Sequence, residues 1–457
     1  MPGRGSPSAV LDSTAALLTH RLAIAQTTGR LPSLVAGVVR GNDLAWTASR
    51  GARVRRRGEH RPDAGTQYRV GSITKTMTAV LVLQLRDEGL LDLADPLAAH
   101  LPDAPYAERS IRALLAHTGG VAAEPPGPWW ERNAGRDWEQ LSRELRTQTG
   151  VLPPGRQYHY SNVSYALLGE LVARLRDRPW QEVLTERVLQ PLAMARTSYL
   201  AAEPSAEGFS VHPYAETLTS EPAHDTLAMA PAGQLWSTVG DLARWAAFLA
   251  AADPAVLAPD TVDEMAIVQS ADPAHGGVDA YGLGLRLVTT PTLRLRGHTG
   301  SMPGFLASVF VDATTSVGAV VLTNATRGLD GLDLCTDLIA TVLRCEPVLP
   351  PEWHPNDDPG DYAELLGAWY WGNTAFSLSW RAGTLLLESP GDDQPTRFEA
   401  VGTGQFRGCD GYFTGELLSV VRGSDAEISH LDLATFVLTR TPYGAERVSS
   451  PGSRWTC

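Results

Sequence analysis

Lysine is all but missing from this sequence. Of its 457 residues 38 are lysine or arginine, and only one of these, Lys75, is a lysine. GC-rich codon usage would produce such a skew. Arginine replaces lysine wherever only positive charge is needed. It cannot replace an amine that must lose its proton, because guanidinium stays charged at any working pH. Cysteine is also scarce. Cys335, Cys345, Cys409 and Cys457 all fall in the last third, without CxxC or Cys/His spacing. Free thiols are expected, which excludes a disulfide scaffold. The 11 histidines form no HExxH or HxH-type cluster, so no metal or other cofactor is expected. Net charge is -13, so nucleic acid has no electrostatic support as a partner. No apolar run reaches 18 residues, which argues against a membrane span. The N-terminal stretch 10–25 is amphipathic, interrupted by Asp12, His20 and Arg21, and lacks the apolar core of an export signal. The reading is cytoplasmic. With 43% hydrophobic and 19% charged residues, the chain is globular.

What is present divides the chain. Leu34–Arg40 and Leu44–Arg50 read as strands joined at Gly41-Asn42-Asp43. A short strand, Gln67–Val70, leads through Gly71-Ser72 into a helix to about Glu88, stopped by Gly89. Residues 90–250 read mostly helical. Strands return at Tyr281–Val288, Leu293–Arg296, Phe305–Val311 and Val317–Leu322, before a helix over Leu332–Leu343. This predicts an α+β domain over residues 1–345, with one sheet built from both ends and a helical insert beside it. A Pro-rich linker covers 346–361. Residues 362–446 show short strands with polar turns (Ala375–Trp380, Thr384–Glu388, Arg397–Val401, Glu416–Val421 and Ala434–Arg440). They predict a small all-β barrel, followed by a tail at 447–457.

Three motifs carry chemistry. In Ser72-Ile73-Thr74-Lys75, a hydroxyl and an amine three residues apart share a helix face. Burial would lower the lysine pKa, making Ser72 and Lys75 candidate nucleophile and base. In Tyr160-Ser161-Asn162, the phenol is a candidate partner base. The Asn162 amide can donate to a substrate carbonyl and accept from the lysine. The same tripeptide also fits a helix cap following a packed tyrosine. The third stretch is Gly297-His298-Thr299-Gly300-Ser301-Met302-Pro303-Gly304. Gly300 permits close backbone approach, and the N–H groups of Ser72 and Ser301 would form an oxyanion hole. A Gly-rich hairpin turn explains this stretch equally well. There is no GxSxG elbow. Gly282-Leu283-Gly284 is an incomplete dinucleotide motif inside a strand and is discounted.

The order SxxK, YxN, HTG resembles the serine β-lactamase and penicillin-binding-protein superfamily over residues 8–345. So do the stretches Tyr68–Ser72, Leu114–Gly120 and Pro231–Thr238. The resemblance implies a covalent acyl-enzyme on Ser72, with Lys75 and Tyr160 as acid and base. Asn162, His298, Thr299 and the 300–301 backbone would hold the acyl group, and His117 is read as structural. The third motif has His298 where most relatives have lysine, which weakens the case for a substrate with a free carboxylate. With the lipocalin-like C-terminal domain, the chain looks similar to stand-alone penicillin-binding-protein-type thioesterases. That implies release of a nonribosomal peptide from its carrier protein by head-to-tail cyclisation, the peptidyl thioester ending in a D residue or glycine. Trp129 and Trp130 would wall a peptide groove or pack under their loop. Without an ExxLN element to aim a water, an amine can intercept the acyl-enzyme. The basic run Arg53, Arg55, Arg56 and Arg57 would touch an acidic carrier or form a solvated strand edge. The alternatives are a hydrolase on the same site (esterase, amidase, D-aminopeptidase or carboxypeptidase) and a non-catalytic binding protein.

Overall fold

The computed structural model describes residues 9–54, 60–148, 150–271, 279–350, 352–355, 359–381, 383–391 and 394–443. They fall into two compact units, Met1–Val348 and Leu349–Cys457.

The first unit is α+β. Helix α1 (Asp12–Thr28) precedes the hairpin β1 (Ser33–Arg40) and β2 (Asp43–Gly51). The SLVAGVV run of β1 is buried on both faces, so β1 lies inside the sheet. Its partner comes from the far end of the unit. Strand β12 (Val317–Thr323) pairs antiparallel with β1, from Leu34 opposite Thr323 to Arg40 opposite Val317. The other strands are β7 (Ser270–Ala271), β8 (Asp279–Tyr281), β9 (Arg286–Thr289), β10 (Arg294–Met302) and β11 (Phe305–Asp312). The order β2-β1-β12-β11-β10-β9-β8-β7 is the expected single sheet from both ends. Leu34, Ala36 and Val38 pack on one face against Leu18 and Leu22 of α1 and against Leu334, Leu338 and Ile339 of the last helix, α10 (Gly331–Cys345). Val35 and Val39 face the opposite way, into a second core shared with the helical region. Each such buried Leu or Val contributes about 1.5–3 kcal/mol.

The expected strand Tyr281–Val288 is two strands. Gly282 N–H closes a turn on Leu285 O, and Gly284 has φ +84°. Alternation does not mark a two-glycine reversal within an apolar run. The strand expected to stop at Arg296 continues to Met302, so the HTG motif is strand and not turn.

Between the two halves lie α2 (Ile73–Asp87), α3 (Ile111–Leu115), α4 (Trp138–Leu145), α5 (Asn162–Arg176), α6 (Trp180–Leu184), α7 (Ala230–Gly233), α8 (Val239–Ala251) and α9 (Pro259–Met265). This helical middle also holds two ribbons. β3 (Tyr68–Arg69) pairs with β6 (Trp236–Ser237), and β4 (Phe209–Val211) with β5 (Leu218–Ser220). Strands of two or three residues are too short to show alternation, so only β3 was legible in the sequence.

The second unit is an eight-stranded antiparallel meander. Its strands are β13 (Gly367–Trp371), β14 (Thr374–Arg381), β15 (Thr384–Glu388), β16 (Thr396–Gly402), β17 (Gln405–Gly408), β18 (Leu417–Arg422), β19 (Ile428–Leu433) and β20 (Phe436–Leu438). Tyr370 and Thr439 exchange both backbone hydrogen bonds, at 2.8 and 2.9 Å, and nearly close the barrel. Trp369, Leu378, Leu385, Phe398, Phe406 and Leu431 fill its interior. The shape is consistent with a lipocalin-like domain.

Cys335, Cys345 and Cys409 are free, as the sequence predicts, whereas Cys457 lies outside the described residues. Among the described residues no helix is long and apolar enough to cross a membrane.

Candidate active site

The site begins where β3 turns into α2. Gly71, at φ +52°, makes the reversal, and Ser72 occupies the N-cap position with helical φ and ψ. One turn on, Lys75 Nζ donates to Ser72 Oγ at 2.9 Å and to Ala232 O of α7 at 2.6 Å. Lys75 is fully buried. Burial pushes its amine down to about 7, and the carboxylates of Glu124 and Glu131 oppose the shift. A lysine near 7 supplies free amine at neutral pH, which arginine at this position would not.

Tyr160 meets the pair from the opposite wall. Lys75 Nζ lies 5.0 Å from its ring centroid, and its hydroxyl hydrogen-bonds Ser72. Burial pushes the phenol well above its ordinary value, and the Ser72 bond pulls it back. Ser161 is the N-cap of α5. Its Oγ accepts from Ser164 N–H and donates to Ala122 O. Asn162 Nδ2 donates to Glu124 Oε1 at 2.8 Å, so this amide group faces a carboxylate and not Lys75.

The third motif enters on β10. A Cβ at Gly300 would lie 1.9 Å from Val70 O and 3.2 Å from Ser72 N, and a Cβ at Gly71 2.6 Å from Ser301 N. Two glycines therefore let the turn and the strand touch, bringing the Ser72 and Ser301 amides to one place. Thr299 Oγ1 lies 3.4 Å from Arg286 Nη1. His298 is buried and pushed down to about 3, by desolvation first and then by the charge of Lys75. The ring is uncharged at neutral pH.

Ser72, Tyr160, Tyr281, His298, Thr299 and Ser301 share one cleft of 930 Å3. Trp129 and Trp130 lie outside its lining. Trp130 is buried and donates to Glu124 Oε2 at 2.7 Å. Trp129 is exposed, stacks on Arg132 at 4.3 Å and donates to Glu131. Trp130 thus follows the packing alternative. Arg53 donates to Ser205 O and pairs with Glu203, whereas Arg55, Arg56 and Arg57 lie outside the described residues. No group of metal-ligating residues occurs among the described residues.

Two participants, Glu124 and Tyr281, escaped the sequence reading. Glu124 ties Asn162 to Trp130. Tyr281 hydrogen-bonds His298 Nε2 at 3.0 Å. His117, read as structural, is packed 4.3 Å from the Tyr160 ring and accepts from Ser161 N–H at 3.1 Å. The stretch Leu114–Gly120 held the His117 signal, but Tyr281 stood in a run read as plain strand.

Comparison with known proteins agrees with this geometry. The family described as Beta-lactamase matches residues 15–344. The chain belongs to this beta-lactamase family. Its members are serine hydrolases of the β-lactamase and penicillin-binding-protein type. A second match, to a domain of unknown function (DUF7586), covers residues 358–440 of the barrel unit. Among curated relatives of this beta-lactamase-family chain is D-alanyl-D-alanine-carboxypeptidase/endopeptidase AmpH of Escherichia coli. It is 28% identical over 314 residues, 64% of this chain and 80% of AmpH. Beta-lactamase-like protein 2 of Dictyostelium discoideum is 25% identical over 54% of the chain, which spans 48% of that relative's length. Among solved structures, SurE covers 94% of this chain and 99% of its own at TM-score 0.61 and 23% identity. A D-stereospecific amidohydrolase from Streptomyces sp. covers 73% of this chain and 98% of its own at TM-score 0.59 and 25% identity.

Proposed function

We propose that this serine enzyme is a stand-alone peptide cyclase or thioesterase. In this reading it takes a peptidyl thioester from a carrier protein onto Ser72 and releases it by head-to-tail amide formation. The observation that carries the reading is fully buried Lys75 with its Nζ 2.9 Å from Ser72 Oγ, and buried His298 in the cleft that Ser72 lines. Neutral Lys75 takes the Ser72 proton as Oγ attacks the thioester carbonyl. The Ser72 and Ser301 N–H groups hold the oxyanion, and the pantetheine sulfur leaves with the proton. In the second half the peptide's own amine attacks acyl-Ser72. Lys75 takes up its proton, relayed through the Tyr160 hydroxyl, and returns one to Ser72 Oγ. Thr299, Gly300 and Asn162, the last held by Glu124, would hold the acyl strand. The carrier protein is the macromolecular partner, the reaction is cytoplasmic and no cofactor takes part.

A second reading is hydrolysis of D-configured amides or peptides on the same serine. The names of E. coli AmpH and the Streptomyces amidohydrolase favour it. One assay separates the two. Short peptidyl pantetheine thioesters ending in D residues or glycine, each with a free amine, are incubated with the wild type and with Ser72→Ala. A product lighter than the free acid by one water, absent in the variant, supports the cyclase. Linear acid alone supports the hydrolase.

A further inference from the structure

We propose that Tyr281 is the positioning residue of His298, fixing it as the neutral Nδ1–H tautomer so that the third motif offers no charge and no N–H to a substrate carboxylate. His298 Nδ1 lies 2.5 Å from Thr299 O, which can only accept, so this contact biases the ring proton toward Nδ1. Nε2 then keeps a lone pair, and Tyr281 Oη stands 3.0 Å from it as the donor.

Tyr281 is held where this bond is enforced. It is buried at the end of β8, immediately before the turn at Gly282. A side chain at Gly282 would meet Met265 O at 2.0 Å, so the backbone there has no slack. The tyrosine ring packs against His117 at 4.6 Å and Tyr158 at 5.9 Å, and stands edge-on to His298. Its single proton has two acceptors, His298 Nε2 and the Tyr165 hydroxyl, whose own proton goes to Leu115 O at 2.9 Å, and the basic imidazole nitrogen is the stronger acceptor of the two. Burial and the charged groups Lys75 from α2 and Arg286 from β9 oppose a second ring proton, and the Tyr160 and Tyr281 rings pack beside the imidazole. The nearby Asp279 carboxylate is engaged by Arg286 Nε at 2.9 and 3.0 Å.

The consequence for substrate choice rests on the acyl-enzyme reading above. The cleft takes esters, thioesters or amides with no free carboxylate next to the scissile bond. Peptides whose leaving residue carries a terminal carboxylate are poor donors.

The test uses the full chain labelled with 15N-histidine, His298→Gln identifying the resonance. At pH 7 Nδ1 is expected protonated and Nε2 unprotonated. Tyr281→Phe is expected to convert this to a mixture of tautomers and to lower kcat about 10-fold on a peptidyl thioester, with KM little changed. Wild-type Nε2–H or imidazolium at pH 7 overturns the proposal, as does a Tyr281→Phe spectrum identical to wild type. If the expected tautomer is seen in a chain that turns over no thioester, the functional reading fails and the positioning role stands.

Discussion

Helix α2 and the interior of the barrel are both dry, yet they bury opposite chemistry. Along α2 the buried set includes Thr74, Lys75, Thr76, Thr78 and Gln84. Their polar atoms find fixed partners, apart from Gln84 Oε1. Thr76 accepts from Trp245 Nε1 at 3.0 Å, Thr78 donates to Pro231 O at 2.9 Å, and Gln84 donates to Val256 O at 2.7 Å. The barrel packs Leu, Phe and Trp side chains, and Trp369 Nε1 turns to Leu365 O at 2.7 Å. Burying a polar group costs more than burying a methyl group unless it is hydrogen-bonded. The helix therefore accepts a less favourable core in exchange for a desolvated amine, whereas the barrel core is mainly apolar.

The largest blow to the polar side is Ser72→Ala. It should lower acyl-thioester turnover at least about 10^4-fold and leave no covalent adduct by intact mass. An adduct on another residue would reassign the nucleophile. Lys75→Arg keeps charge but not basicity and should slow acylation about 10^3-fold. The pH profile sharpens this. Acylation should fall as pH drops through about 7, where Lys75 takes up its proton. Stability follows the same group. Its folded pKa is depressed from 10.5 to about 7, so between those values the unfolded chain holds more protons and stability rises with pH. Lys75→Met should therefore be more stable than wild type at pH 7, and the gap should shrink toward pH 10 in denaturant titrations. Gly300→Ala drives a Cβ into Val70 O and should cost about 10^2-fold in kcat, with a folded far-UV spectrum retained. On the apolar side, Phe398→Ala should remove about 3–5 kcal/mol from the barrel and change the Ser72 acylation rate less than about 2-fold. A large rate loss in that folded variant would draw the barrel into catalysis.

The same contrast explains what was legible. Lys75 stood out because a chain that prefers arginine kept it, and Ser72, Tyr160 and His298 sit in local patterns. Gly300 was visible as a residue without a side chain, though not the Val70 carbonyl it must clear. Tyr281 and Glu124 act through partners 17 and 38 residues away, at His298 and Asn162, and no local spacing encodes that. The sheet was legible from long apolar runs such as β1 and β12. Three barrel strands, β13, β17 and β19, were not, because polar outward residues and short length dilute their alternation.

The contact between Gly71 and Ser301 also sets a clock. During synthesis the nucleophile emerges long before β10, and β10 is framed only after β11 and β12 have joined β1 across the sheet. A nascent chain thus carries Ser72 and Lys75 without the Ser301 amide until almost the whole first unit has left the ribosome. The order in which the residues are made therefore completes the nucleophile's surroundings last.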